Sequence, residues 1–125
     1  MRFLAERRGY PAICLSNDGG TLTAAGNDYG FDEIFARQVS AFGQPGDVLI
    51  CLTTSGKSRN ILRALEAAKS RSVKTIAFLG RNGGDTANVS DIELLVRSDS
   101  TARIQEAHMF LLHVLCEVVD ARLAP

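Results

Sequence analysis

Three observations predict an α/β fold built on a parallel sheet. Four short apolar runs punctuate the chain, and each is continuous rather than alternating, as strands covered on both faces are. Longer stretches with helical spacing separate them, the signature of βαβ units. Every run also hands over to turn or cap residues. The 125 residues, 46% hydrophobic and 22% charged, suit one domain spanning 1–125 with a real core.

The predicted strands are 12–15, 48–52, 75–79 and 92–96. Between the first two, Phe31, Ile34, Phe35, Gln38, Val39 and Phe42 recur at helical spacing until Gly43-Gln44-Pro45-Gly46 stops the helix. After the second strand, Ile61, Leu62, Leu65 and Ala68 form one apolar stripe. Arg59, Arg63, Glu66 and Lys69 face away from it, with Arg63 and Glu66 placed to pair. The last helix, from Thr101 to about Leu123, puts Ile104, His108, Leu111, Leu115 and Val118 on one stripe. Met109, Phe110, Leu112, Val114 and Val119 cover much of its remaining circumference. One sheet face cannot hide all of that, so this helix is expected to pack partly against another subunit.

Composition excludes several classes of function. Fourteen basic against fourteen acidic residues give a net charge of +0, which offers no field for phosphate backbones or anionic lipid, so no nucleic-acid partner is expected. The most apolar stretch, 109–119, is interrupted by His113 and Glu117 and is far shorter than the roughly 20 residues of a membrane span. The first eight residues lack the apolar region of a signal peptide, so the cytoplasm is the expected compartment and no membrane partner is foreseen. Cys14, Cys51 and Cys116, odd in number and set among apolar neighbours, read as buried thiols.

The segment richest in chemistry is Asp47-Val-Leu-Ile-Cys-Leu-Thr-Thr-Ser-Gly-Lys-Ser58, a strand running into a hydroxyl-rich loop that opens a helix. Thr53, Thr54, Ser55 and Ser58 can donate to phosphate oxygens, and the helix amides and dipole point the same way. Open α/β sheets also bind ligands at the carboxyl ends of their strands. A nucleotide P-loop is excluded, because that motif needs glycine where Cys51 stands. The plainer alternative is that Ser58 caps the helix and residues 53–55 form a polar turn.

A second segment, Thr23-Ala-Ala-Gly-Asn-Asp-Tyr-Gly30, sets Asn27 beside Asp28 before a helix, either to grip sugar hydroxyls or as a turn with a cap. Arg81-Asn-Gly-Gly-Asp85 reads as a tight turn. Both histidines fall on the last helix. His108 and His113 diverge by about 140°, whereas Gln105 and His113 differ by about 80° and stand about 12 Å apart along the axis. A histidine on an apolar helix is either a hydrogen-bonded core residue or a catalytic or metal-binding group.

Taken together, Gly26-Asn-Asp-Tyr-Gly-Phe31, Thr53-Thr-Ser-Gly-Lys-Ser58 and Arg103-Ile-Gln-Glu-Ala-His108 followed by His113 resemble the sugar-isomerase (SIS) domain family, and within it the phosphoheptose isomerases. The resemblance runs from about Tyr10 to Val119. It implies a three-layer α/β/α sandwich of the flavodoxin-like, doubly wound kind and a homo-oligomer, dimeric or tetrameric. It also implies an enzyme that interconverts sedoheptulose 7-phosphate and D-glycero-D-manno-heptose 7-phosphate on the route to lipopolysaccharide heptose. Thr53, Thr54, Ser55 and Ser58 would hold the phosphate, and Asn27 and Asp28 the sugar. Gln105 would contact substrate or zinc, and His113 would be the catalytic acid–base that can also bind zinc.

The chain also departs from the family pattern. The family's first strand, its Gly-Asn-Gly-Gly-Ser loop and the helix bearing a histidine ligand and the glutamate base find no match here. The expectation is therefore an N-terminally truncated SIS domain with an uncovered sheet edge, in which Asp28 or Glu106 could stand in for the base. Thr53 replaces the usual serine and Lys57 the usual asparagine. The alternative function is a non-catalytic SIS module that binds a phosphosugar or a protein.

Overall fold

The computed structural model describes residues 3–4 and 6–123. In chain order these form α1 (Gly19–Tyr29), α2 (Ala36–Phe42), β1 (Val48–Thr53), α3 (Arg59–Ser70), β2 (Lys74–Gly80), β3 (Ile92–Val96) and α4 (Thr101–Leu123). Single 3-10 turns at Phe31–Glu33 and Gly84–Thr86 fill two of the connections. The strands make one parallel sheet in the order β1-β2-β3, with Ile50 beside Ile76, Leu52 beside Phe78 and Phe78 beside Leu94.

Register decides which layer each residue faces. Leu49 packs with Val39, Ala64, Ala68 and Val73, so the face that carries Leu49, Cys51 and Thr53 lies under α2 and α3. The opposite face carries Phe78, whose ring meets His108 of α4 edge-on at 5.9 Å, and Gly80, where an added Cβ would come within 2.7 Å of Ile104. Helices thus cover both faces, giving the expected α/β/α layering. Phe78, Leu79, Leu65, Ile34 and Ile104 are its largest fully buried apolar side chains.

Helix α3 follows its sequence pattern closely. Ala64, Leu65 and Ala68 are buried, Arg59, Arg63, Glu66 and Lys69 are exposed, and Arg63 Nη1 donates to Glu66 Oε2 at 2.8 Å. Helix α4 is buried only at Ile104, His108 and Asp120, whereas Met109, Phe110, Val114 and Val118 stay exposed. No helix among the described residues is long and apolar enough to cross a membrane.

Four expectations need correction. Residues 12–15 form no strand: Ala12, Ile13 and Cys14 are exposed, and the chain there turns through an Asn17 N to Cys14 O bond at 3.2 Å. A strand exists only through a partner's ladder, and no described strand pairs with this run. Residues 23–29 are not a loop but the body of α1. Asp18 caps that helix by accepting from Gly20 N at 2.9 Å and Thr21 N at 3.3 Å, which offsets the poor helix propensity of the opening glycines. The helix foreseen over 31–42 is split into a 3-10 turn and α2, with Phe31 and Phe42 exposed. Finally, Cys14 and Cys116 are exposed, and only Cys51 is buried.

Candidate functional site

The carboxyl end of β1 opens into the hydroxyl loop. Thr53 is buried, and its Oγ1 accepts from Gly56 N at 3.1 Å and lies 3.3 Å from Ser58 Oγ. Ser55 Oγ accepts from Lys57 N at 3.2 Å. Ser58 occupies the N-cap position of α3 with extended backbone, yet its side chain makes no capping bond. Its hydroxyl is turned toward Thr53 instead; Ile61 N donates to Asn60 Oδ1 at 2.9 Å, and the Arg59 and Asn60 amides at the start of α3 receive no side-chain cap. Two hydroxyls and a helix N-terminus therefore converge in one place, an arrangement suited to an oxyanion.

A partner loop fixes this one, in a contact that the sequence reading did not foresee. Gly56 (φ +66) packs so tightly on the turn after β2 that a Cβ there would sit 1.9 Å from Gly83 O. A Cβ on Gly84 would in turn lie 2.7 Å from the Gly56 and Ser55 carbonyl oxygens. Thr86, fully buried, ties the contact down: its amide donates to Gly56 O at 3.1 Å and its hydroxyl to Gly83 O at 2.9 Å. Residues 81–85 are thus a turn, as expected, and also the wall against which the hydroxyl loop is built. The signal in the sequence was the pair Gly83-Gly84, which only a close backbone approach or positive φ demands.

The other candidates lie apart from this loop. Asn27 and Asp28 sit exposed in the last turn of α1, where Asn27 Nδ2 donates to Asp28 Oδ1 at 2.9 Å. Gln105 and His113 are exposed on α4, and the His113 ring lies 5.9 Å from that of Phe3. His108 is the core histidine of the pair: at 2% exposure its Nε2 donates to Leu79 O at 3.0 Å, an acceptor that fixes the proton on Nε2. Of the two carboxylates considered as a base, Glu106 pairs with Arg103 at 2.6 Å and Asp28 holds Asn27. Among the described residues no three of His, Cys, Asp and Glu gather into a metal site, so Gln105 and His113 do not complete a zinc centre on their own.

These features define a parallel α/β domain that presents a rigid hydroxyl loop at the carboxyl edge of its sheet. The chain belongs to the SIS domain family, whose match covers residues 2–80. It is similar to the phosphoheptose isomerase of Geobacter sulfurreducens, 50% identical over 99% of this chain and 66% of that protein. The phosphoheptose isomerase of Nitratiruptor is 53% identical over 95% of this chain and 64% of its own length. Among solved structures, the phosphoheptose isomerase of Francisella tularensis superimposes with a TM-score of 0.89 at 48% identity, over 92% of this chain and 62% of that one. That of Neisseria gonorrhoeae gives 0.84 at 46% identity, over 86% and 61%. The chain therefore spans just under two thirds of the relatives it matches.

Proposed function

We propose that the chain carries the phosphate-holding and His113-bearing part of an isomerase that interconverts sedoheptulose 7-phosphate and D-glycero-D-manno-heptose 7-phosphate, in the cytoplasm, on the way to lipopolysaccharide heptose. The observation that supports this most is the Thr53–Ser58 pair of hydroxyls at the start of α3, where Ser58 leaves its capping position unused, in a chain about half identical to proteins named phosphoheptose isomerase. Thr53, Thr54, Ser55 and Ser58 would hold the phosphate remote from the reacting carbons and so supply orientation. Asn27 and Asp28 would contact the sugar. His113, exposed on α4, would move a proton between the oxygens of an enediol.

Zinc belongs to the same proposal, with Gln105 and His113 as two of the four donors a tetrahedral site needs. So does self-association into dimers or tetramers through the exposed apolar surface of α4. A second reading, a phosphosugar-binding module without turnover, has one observation in its favour. The hydroxyl loop is complete by itself, whereas His113 has no carboxylate partner among the described residues.

The deciding experiment is sedoheptulose 7-phosphate turnover by the full chain, with and without added zinc, beside His113→Ala. Turnover lost in His113→Ala supports the isomerase. Saturable sugar-phosphate binding without turnover assigns the chain to the binding module, and the absence of both overturns the two readings together.

A further inference from the structure

Asn27 and Asp28 lie apart from the hydroxyl loop, yet the turn that follows them is clasped to α3. Arg59, the residue after Ser58, donates through Nε to Asp32 Oδ2 at 2.7 Å, and Arg63 Nε donates to Glu33 Oε1 at 2.8 Å. The turn Phe31–Glu33 therefore runs along the opening of α3, where the phosphate would be held. On its other side the chain folds back on α1: a Cβ on Gly26 would lie 3.8 Å from Ile34, which is fully buried. Gly30, at φ +88, makes the corner, its amide donating to Gly26 O at 3.1 Å and its carbonyl accepting from Glu33 N at 3.1 Å.

Two aromatic residues flank this corner, and both are open to solvent. Phe31, at 70% exposure, is the most exposed large apolar side chain among the described residues, and Tyr29 stands at 53%. The Arg37 guanidinium covers the Tyr29 ring at 3.7 Å from its centroid, which holds that ring in place. An exposed phenylalanine on its own needs no explanation, because apolar atoms make up much of any protein surface. This one sits three residues after the Asn27–Asp28 pair and next to the Asp32 clasp on α3. A sugar has hydroxyl edges that need hydrogen bonds and C–H faces that gain from an apolar surface. The polar pair serves the first, and an aromatic ring serves the second.

We infer that Phe31 is a specificity-determining residue, whose ring stacks on the C–H face of a phosphosugar held by its phosphate at Thr53 and Ser58. The inference rests on the sugar-phosphate reading given above. It supplies what the hydroxyl loop lacks, a way to tell a phosphosugar from bare phosphate, because stacking adds affinity only where carbons are attached.

The test is calorimetric titration of the full chain with sedoheptulose 7-phosphate and, separately, with inorganic phosphate, comparing Phe31→Ala, Phe31→Tyr and Phe42→Ala. Phe31 and Phe42 are both exposed, so every variant should keep the parent melting curve, which is recorded alongside. Phe31→Ala is expected to weaken the phosphosugar about fivefold or more and to leave inorganic phosphate unchanged. Phe31→Tyr should restore the parent affinity, and Phe42→Ala should alter neither ligand. Sedimentation of the same samples separates stacking from packing against a second copy: a phosphosugar loss that comes with a smaller species assigns Phe31 to a subunit contact and overturns the inference. A loss shared equally by inorganic phosphate, or matched by Phe42→Ala, overturns it too. If the parent binds the phosphosugar and Phe31→Ala binds it equally well, the inference alone falls. A parent chain that binds no phosphosugar removes the sugar-phosphate reading, and the inference with it.

Discussion

Cys51 lies beneath α3 at 4% exposure, and burial pushes its thiol up to about 12. Cys14 is exposed, and the Ser16 hydroxyl beside it holds its thiol below the ordinary value. Since the thiolate is the reactive form, native alkylation at pH 8 should label Cys14 and Cys116 and spare Cys51. Mass spectrometry should count two adducts in buffer and three in urea; three in buffer would contradict the burial of Cys51. Gly56 offers a sharper test. An alanine there must move the Gly83 backbone and hold φ +66, so Gly56→Ala should cost about 2–4 kcal/mol, read as a lower urea midpoint. The hydroxyls of this region were legible in the sequence because their side chains announce their chemistry. The reason for Gly56 was not, since it lies in a backbone contact with residues 27 and 28 positions away.

Among the elements, the start of β2 is pinned to the start of β3 by one carboxylate. Asp91 accepts from Lys74 Nζ, Thr75 N and Thr75 Oγ1, each at 2.9 Å, and its own amide donates to Thr75 Oγ1 at 2.8 Å. Lys74 and Thr75 hold its carboxyl down to about 2, against an ordinary 3.8. A carboxylate shifted downward by folding stabilises fully above its ordinary value and loses that contribution as the pH falls through the folded one. The wild type should therefore be more stable than Asp91→Asn near pH 6, with the difference fading between about pH 4 and pH 2. A difference that persists to pH 2 in denaturation curves would point to packing instead. At this scale the sequence was informative wherever a run had partners. Strands β1 to β3 and helix α3 follow their patterns, whereas 12–15 has the same apolar look and no neighbour to pair with. Helix α1 was missed because Gly19, Gly20, Thr21 and Thr23 are poor helix formers, and the one readable signal was Asp18 as its cap.

For the molecule as a whole, surface area tells most. The chain exposes 8118 Å², about a quarter more than the roughly 6,500 Å² of a compact monomer of 13.5 kDa. Much of the apolar part lies on α4, where Phe110 is 67% and Met109 56% exposed, and on the face of β1 away from α3, where Val48, Ile50 and Leu52 are open. Continuous apolar runs foretold strands covered twice, and β1 is covered once, because α4 lies over β2 and β3. Sedimentation should find the chain associated at micromolar concentration, and Phe110→Glu should shift it toward a smaller species without lowering its helix content. A wild type that sediments as a monomer throughout would remove self-association from the account. The glycine contact between the loops after β1 and β2 has one more consequence, for anyone who would redesign the domain. Neither of those loops can be lengthened or grafted without the other, whereas residues 97–100, outside the contact, connect β3 to α4 and are open to insertion. New ligand preferences are therefore best sought by diversifying that third loop.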